Sequence, residues 1–160
     1  PEDSDAAFEE MVGKAERLVN KLGLHYQVSK LAAGDISHSM ARTYDIEVYI
    51  PSIGIYKEVS SASNARDYQA RRGMMRDRDK ETGKTKFLHT LNASGLATSR
   101  IFPAMLEQYQ QTDGSVLVPE VLQPFMGGIK VIKPIKWLID IQIWLGILRC
   151  LFLYTIILIY

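Results

Sequence analysis

The chain is 160 residues long, 47% hydrophobic and 23% charged, which is ordinary globular usage and enough length for one domain with a real core. A formal net charge of +1 gives no global signal for a polyanion partner, and a single cysteine, Cys150, excludes an internal disulfide and any cysteine-cluster metal site while fitting a reducing compartment. No apolar signal peptide begins the chain, and Pro1 in place of Met leads to the expectation that the start is not a natural initiation site.

In chain order, Phe8, Met11, Val12, Ala15, Leu18, Val19 and Leu22 recur at helical spacing and predict an amphipathic helix with Ser4 as N-cap and Gly23 as its stop. LHYQVSKLAAGD reads as a strand that breaks at Ala32 to Asp35, and ISHSMAR as an irregular link. Thr43 to Pro51 is the cleanest strand, with Tyr44, Ile46, Val48 and Ile50 on one face and Asp45, Glu47 and Tyr49 on the other. Ser52 to Ile55 turn the chain back, and YKEVSSAS makes the antiparallel partner. Simple alternation puts Glu58 and Ser60 on one side of that strand and Val59 and Ser61 on the other, unless twist or a bulge intervenes.

Asn64 to Arg78 form a helix-like basic run capped by Asn64, whose Arg66, Arg71, Arg72, Arg76 and Arg78 read as a phosphate-facing stripe or, because Asp67, Asp77, Asp79 and Glu81 interleave with them, as a solvated, self-paired face, the second reading being preferred. DKETGK is a polar loop. Phe87 to Arg100, FLHTLNASGLATSR, then reads as a buried strand running into a helix, with Ala93, Ser94 and Gly95 at the junction. Small residues there allow close approach to the backbone, a helix N-terminus offers free N–H groups, and Arg100 falls one to two turns into the helix, within reach of a phosphate for its planar fork, although a strand, a Gly-containing turn and a helix with one Arg is also a common structural pattern. Pro103 is expected to kink that helix. His25, His38 and His89 have no second ligand at metal spacing and read as structural.

EVSSASN, DYQARR, HTLNASGLATSR, LEQYQQTDGS and VPEVLQPFMGG, in this order, resemble the C-terminal half of the catalytic core of seryl-tRNA synthetases, which are class II aminoacyl-tRNA synthetases; the likeness covers roughly Pro1 to Gly128. It implies an α/β fold of the α+β type, an antiparallel sheet flanked by helices, and the ATP-dependent activation of L-serine followed by its transfer to tRNA(Ser). The resemblance implies that Glu58, Val59, Ser60 and Ser61 line the ATP site, with Glu58 and Ser61 holding Mg2+ on the phosphates. It gives Arg100 the grip on those phosphates, with Arg100 and Glu58 as the catalytic pair, and it places Ser94 and Asn92 against the substrate serine. Taken without the likeness, the same residues read as an edge strand with a solvated Glu, a turn former and a helix cap. Ala93 and Ser99 stand where the family usually has glycine, which raises the expectation of a diverged copy.

The family's N-terminal tRNA-binding arm, its dimer-forming first motif and its second motif cannot be placed in the sequence. The 160 residues alone are therefore expected to bind ATP poorly and not to aminoacylate, with the homodimer and tRNA(Ser) engaged by the full-length enzyme in the cytoplasm of a bacterium or in an organellar matrix. The alternative is a non-catalytic, synthetase-like binding or regulatory module. Residues 129–160 form an apolar tail in which Ile143 to Tyr160 is long enough to span a membrane, flanked by Lys130, Lys133 and Lys136. Arg149 in its middle costs about 2.5 to 3.5 kcal/mol. The tail reads as a membrane anchor through residues 137–160, as an extra buried element, or as translated sequence foreign to the enzyme.

Overall fold

The computed structural model describes residues 1–135. The apolar tail from residue 137 on, with Lys136 and Cys150, lies outside the described residues, and among the described residues no helix is long and apolar enough to cross a membrane.

Helix α1 (Ser4–Lys21) leads into strand β1 (Tyr26–Lys30), then β2 (Arg42–Ile50) and the long β3 (Ile55–Arg66). A short helix α2 (Tyr68–Gly73) and a small hairpin of β4 (Arg76–Arg78) and β5 (Thr85–Phe87) follow. The chain returns as β6 (Thr90–Ala93) and enters α3 (Thr98–Tyr109). A two-residue strand β7 (Val116–Leu117), a 3-10 helix (Glu120–Met126) and β8 (Val131–Ile132) complete the described chain.

The main sheet has the order β1-β2-β3-β6, and each of its pairings is antiparallel. One face is apolar because β2 alternates as its sequence says: Ile46, Val48 and Ile50 are buried. Helices α1 and α3 both lie on this face, contributing Ala15, Val19, Ile101 and Ala104 to a core with Val59 and Leu24. A second cluster, Phe8 and Val12 against Ala62, seals the end near Tyr44 and Leu91. The opposite face carries Thr43, Asp45, Glu47 and Tyr49 and stays open.

Ser4 begins α1 but does not cap it; Asp3 holds the cap position without a side-chain bond, and the Ser4 hydroxyl pairs with His89 Nδ1 at 2.6 Å. Gly23 does end the helix, with a φ of +68° that a residue bearing a Cβ resists. A Cβ there would run into the Tyr109 hydroxyl, which donates to the Leu22 carbonyl at 2.7 Å and fastens the end of α3 to the end of α1. Gly23→Ala should therefore lower the unfolding free energy by roughly 2–3 kcal/mol, the sum of a left-handed penalty and a lost, partly buried hydrogen bond. A urea midpoint within error of the unsubstituted chain would reject this.

The basic run does not form the helix expected from Asn64 to Arg78. Asn64 is fully buried within β3, where its Oδ1 receives the Arg66 N–H at 2.8 Å, and the helix begins only at Tyr68. The strand continues because its partners Arg42 and Leu91 are in place on both sides, a tertiary pairing that outweighs a weak local helix signal. Two of the run's arginines are ion-paired, Arg71 lying 3.6 Å from Asp67 and Arg66 3.9 Å from Asp5 of α1, while Arg72 stacks over Tyr68 and Arg76 over Phe87.

Candidate active site

The open face is built by a bulge. Ile46 pairs with Ser60 while the next residue, Glu47, pairs with Glu58, so that Val59 has no partner on β2. The extra residue resets the alternation of β3. Glu58 and Ser61 therefore share the open face with their partners Glu47 and Asp45, which corrects the expectation that Glu58 and Ser60 would face the same way. Val59 and Ser60, both fully buried, turn inward, so their side chains belong to the core and not to the cleft.

FLHTLNASG is not one buried strand. It breaks at Leu88 and His89, pairs first with β4 and then, as β6, with the far half of β3 at the sheet edge. Beyond Ala93 the chain runs on beside β3 before any helix starts: Ser94 N–H donates to the Ser61 carbonyl at 3.1 Å, and Ala97 N–H donates to the Val59 carbonyl at 2.6 Å. The Ser94 hydroxyl accepts the Ser61 N–H at 3.0 Å, and the Ser60 hydroxyl donates to the Ser94 carbonyl at 2.7 Å. Ser94 is thus not a helix cap. It extends the sheet with its side chain standing in for a backbone acceptor, and its own proton remains to be given. Ala93 carries no positive φ, so the residue in the usual glycine position fits the backbone without strain.

Because α3 starts at Thr98, Arg100 sits in its first turn and not one to two turns inside. Its Nη1 donates to the Glu58 carbonyl at 2.9 Å and lies 3.3 Å from Glu58 Oε2. Both side chains remain about half exposed, at 52% and 42%, so the pair is solvent-screened and can open. Pro103 lies inside α3, which runs through it. Asp45, Glu47, Tyr56, Glu58, Ser99 and Arg100 line a cleft of about 640 Å³. Asn92 stands opposite Ser63, further along the same face, exposed and with its Nδ2 3.9 Å from Met40 Sδ. On the helix side, Ala93, Ser94 and Gly95 border a second hollow of about 390 Å³ with Lys14 and Lys21 of α1.

Burial pushes the Asp45 carboxyl above its usual range; the Ser61 hydroxyl pulls it back, and the charges of Glu58 and Glu47 raise it further. Asp45 Oδ1 has no hydrogen-bond partner. This residue was visible in the sequence as one of the polar positions of the cleanest strand, but only the register across from Ser61 marks it as part of the site. Each histidine bonds a hydroxyl: His25 that of Tyr56, His38 that of Tyr68, and His89 that of Ser4. Among the described residues no group of three or more His, Cys, Asp or Glu side chains could hold a metal ion by themselves. The donors that are present, a carboxylate at Glu58 and a hydroxyl at Ser61, are hard oxygens that suit a divalent cation whose remaining ligands are water and a substrate's phosphates, and the orphaned Asp45 oxygen lies across from Ser61.

Residues 1–109 match the family model of the tRNA synthetase class II core domain (G, H, P, S and T). Serine--tRNA ligase 2 of Clostridium acetobutylicum is 68% identical over 131 residues, 82% of this chain and 31% of that protein. Serine--tRNA ligase of Hahella chejuensis is 58% identical over 133 residues, 83% of this chain and 31% of that one. Among solved structures, seryl-tRNA synthetase from Pyrococcus horikoshii complexed with ATP superposes with a TM-score of 0.80 at 41% identity, covering 85% of this chain and 30% of that chain. Cytoplasmic serine-tRNA ligase from Naegleria fowleri in complex with AMP gives 0.76 at 38% identity, with 83% and 32% covered. The chain thus spans about a third of the length of the curated relatives it matches.

Proposed function

The chain belongs to the class II tRNA synthetase core family, and on that premise we propose that residues 1–128 are the later part of the catalytic core of a serine-tRNA ligase, to which the first residues beyond them stay paired as β8 on β7. In the full-length enzyme the carboxylate of L-serine attacks the α-phosphorus of ATP in line and pyrophosphate leaves. The ribose hydroxyl of tRNA(Ser) then attacks the seryl carbonyl and AMP leaves. No protein nucleophile is needed; the chain's work is positioning and charge stabilisation.

Arg100 keeps its bond to the Glu58 carbonyl and gives up only the exposed Glu58 carboxylate to grip the nucleotide's phosphates, and it stabilises the charge that grows on the departing pyrophosphate. That exchange frees the Glu58 carboxylate, which together with Ser61 would hold a magnesium ion. A divalent cation bound there supplies neutralisation of phosphate charge. Val59 and Ser60 serve the ATP site through the bulge that brings Glu58 and Ser61 to one face. Ser94 donates its free hydroxyl proton, and Asn92 offers its amide, to the substrate serine. A site that hydrogen-bonds a substrate hydroxyl rejects analogues lacking it, because its own polar groups are then left unpaired. Assembly as a homodimer and residence in the cytoplasm or an organellar matrix complete the proposal.

What carries this reading is the direct joining of the two motif stretches: Ser61 to Ser94 through two hydrogen bonds, and Glu58 to Arg100 through two contacts at the cleft. The test is a chimera in which residues 1–128 replace the matching stretch of the Clostridium acetobutylicum relative. It is expected to catalyse ATP–pyrophosphate exchange with serine and not with alanine, whereas the 160-residue chain alone catalyses none. A folded chimera inactive with serine would overturn the proposal, and serine-dependent exchange by the isolated chain would overturn its second half.

A further inference from the structure

Asp45 stands in the middle of β2, only 8% exposed, in register with Ser61. Its carboxylate borders the cleft beside Glu47 and Glu58, and its Oδ1 is buried without a partner. The groups beside it do not supply that partner: Arg100 contacts Glu58, and the like-charged Glu47 accepts a hydrogen bond from Gln27 Nε2 at 2.7 Å. Leaving a buried charged oxygen unpaired is costly, and a position kept for packing alone is better filled by an apolar side chain.

We propose that Asp45 is a positioning residue for a divalent cation in this cleft: it accepts the Ser61 hydroxyl proton, so that Ser61 turns its lone pairs outward, and its unpaired oxygen receives a hydrogen bond from a water in the cation's shell. The proposal rests on the reading of Glu58 and Ser61 as the residues that hold the cation. Hard cations of magnesium type keep several waters, and the outer partners that fix ligands and waters govern affinity. Glu47, already satisfied, does not substitute for Asp45.

The test is Mn2+ alone, titrated into the 160-residue chain and followed by paramagnetic broadening of backbone amide and side-chain carboxyl signals. In the unsubstituted chain the signals of Asp45, Glu58 and Ser61 broaden before those of other acidic stretches. Asp45→Asn keeps the folded spectrum and an unchanged or raised Tm, yet moves the broadening midpoint up about tenfold. A residue that served packing alone would shift Tm and leave the midpoint in place. An unchanged midpoint in Asp45→Asn, with binding lost in Glu58→Gln, overturns the role of Asp45 and leaves the cation site standing. Absence of selective broadening at Glu58 and Ser61 in the unsubstituted chain overturns the cation site and Asp45 with it. Should Asp45→Asn unfold the chain, the carboxyl carbon of Asp45 in the unsubstituted chain decides: broadening in step with Glu58 supports the proposal, and its escape while Glu58 is lost overturns it.

Discussion

Arg100→Ala in the chimera is expected to lower kcat for serine-dependent ATP–pyrophosphate exchange by about two to three orders of magnitude, the size of effect seen when one preorganised donor to a developing charge is removed. The fold explains why the effect falls on rate as well as binding. Arg100 projects from the first turn of α3 and is held at the cleft by the Glu58 carbonyl at 2.9 Å, so its guanidinium is already oriented when phosphates arrive. Charge on the pyrophosphate is greater in the transition state than in bound ATP, so the loss exceeds any loss of ground-state affinity. Arg100→Lys should recover only part of the rate, because an ammonium lacks the planar fork that engages two oxygens together. Steady-state kinetics showing a change confined to KM, or a fall of less than tenfold in kcat, would remove Arg100 from the reaction.

The largest expected effect on stability lies at the far end of the sheet. Phe8 is fully buried, meets the Tyr44 ring edge-on at 5.3 Å between centroids, and lies under the Arg42 guanidinium at 5.1 Å. Arg42 in turn bonds Glu9 and the Tyr44 hydroxyl, so one aromatic ring anchors α1 to β2 and organises the charges around it. Phe8→Ala removes the ring and leaves a cavity between helix and sheet, at a cost of about 3–5 kcal/mol. A small domain has roughly 5–15 kcal/mol in all, so the variant should lose a large share of its cooperative transition in urea. A shift below about 1 kcal/mol would mean that α1 relaxes onto the sheet and fills the gap.

The amphipathic helix from Ser4, the alternation of Tyr44 to Ile50, the turn after Pro51 and the order of the motif stretches are local properties, and they were legible in the sequence for that reason. A period of 3.6 or 2 declares which face of an element is apolar without reference to any other part of the chain. The family likeness carried by EVSSASN and HTLNASGLATSR was legible in the same way, and it named Glu58, Ser61, Ser94 and Arg100 before any geometry was known. Other features depend on what lies opposite. Asn64 reads as a helix cap and is a buried strand residue, because Arg42 and Leu91 pair with it from two sides. Ser94 reads as a helix cap and instead accepts the Ser61 N–H, because the chain follows β3 before turning into α3.

The chain's own sequence determined its first helix, its central strand with the apolar face, and its family, since each of these is written in spacing and residue type along one segment. Tertiary structure alone decided that Glu58 and Ser61 look the same way, that Val59 and Ser60 are hidden, and that Asp45 stands across from Ser61 with an unpaired oxygen. The physical reason is the bulge at Val59: one unpaired residue reverses the alternation beyond it, and where that residue falls is fixed by the register with β2 and not by β3 itself.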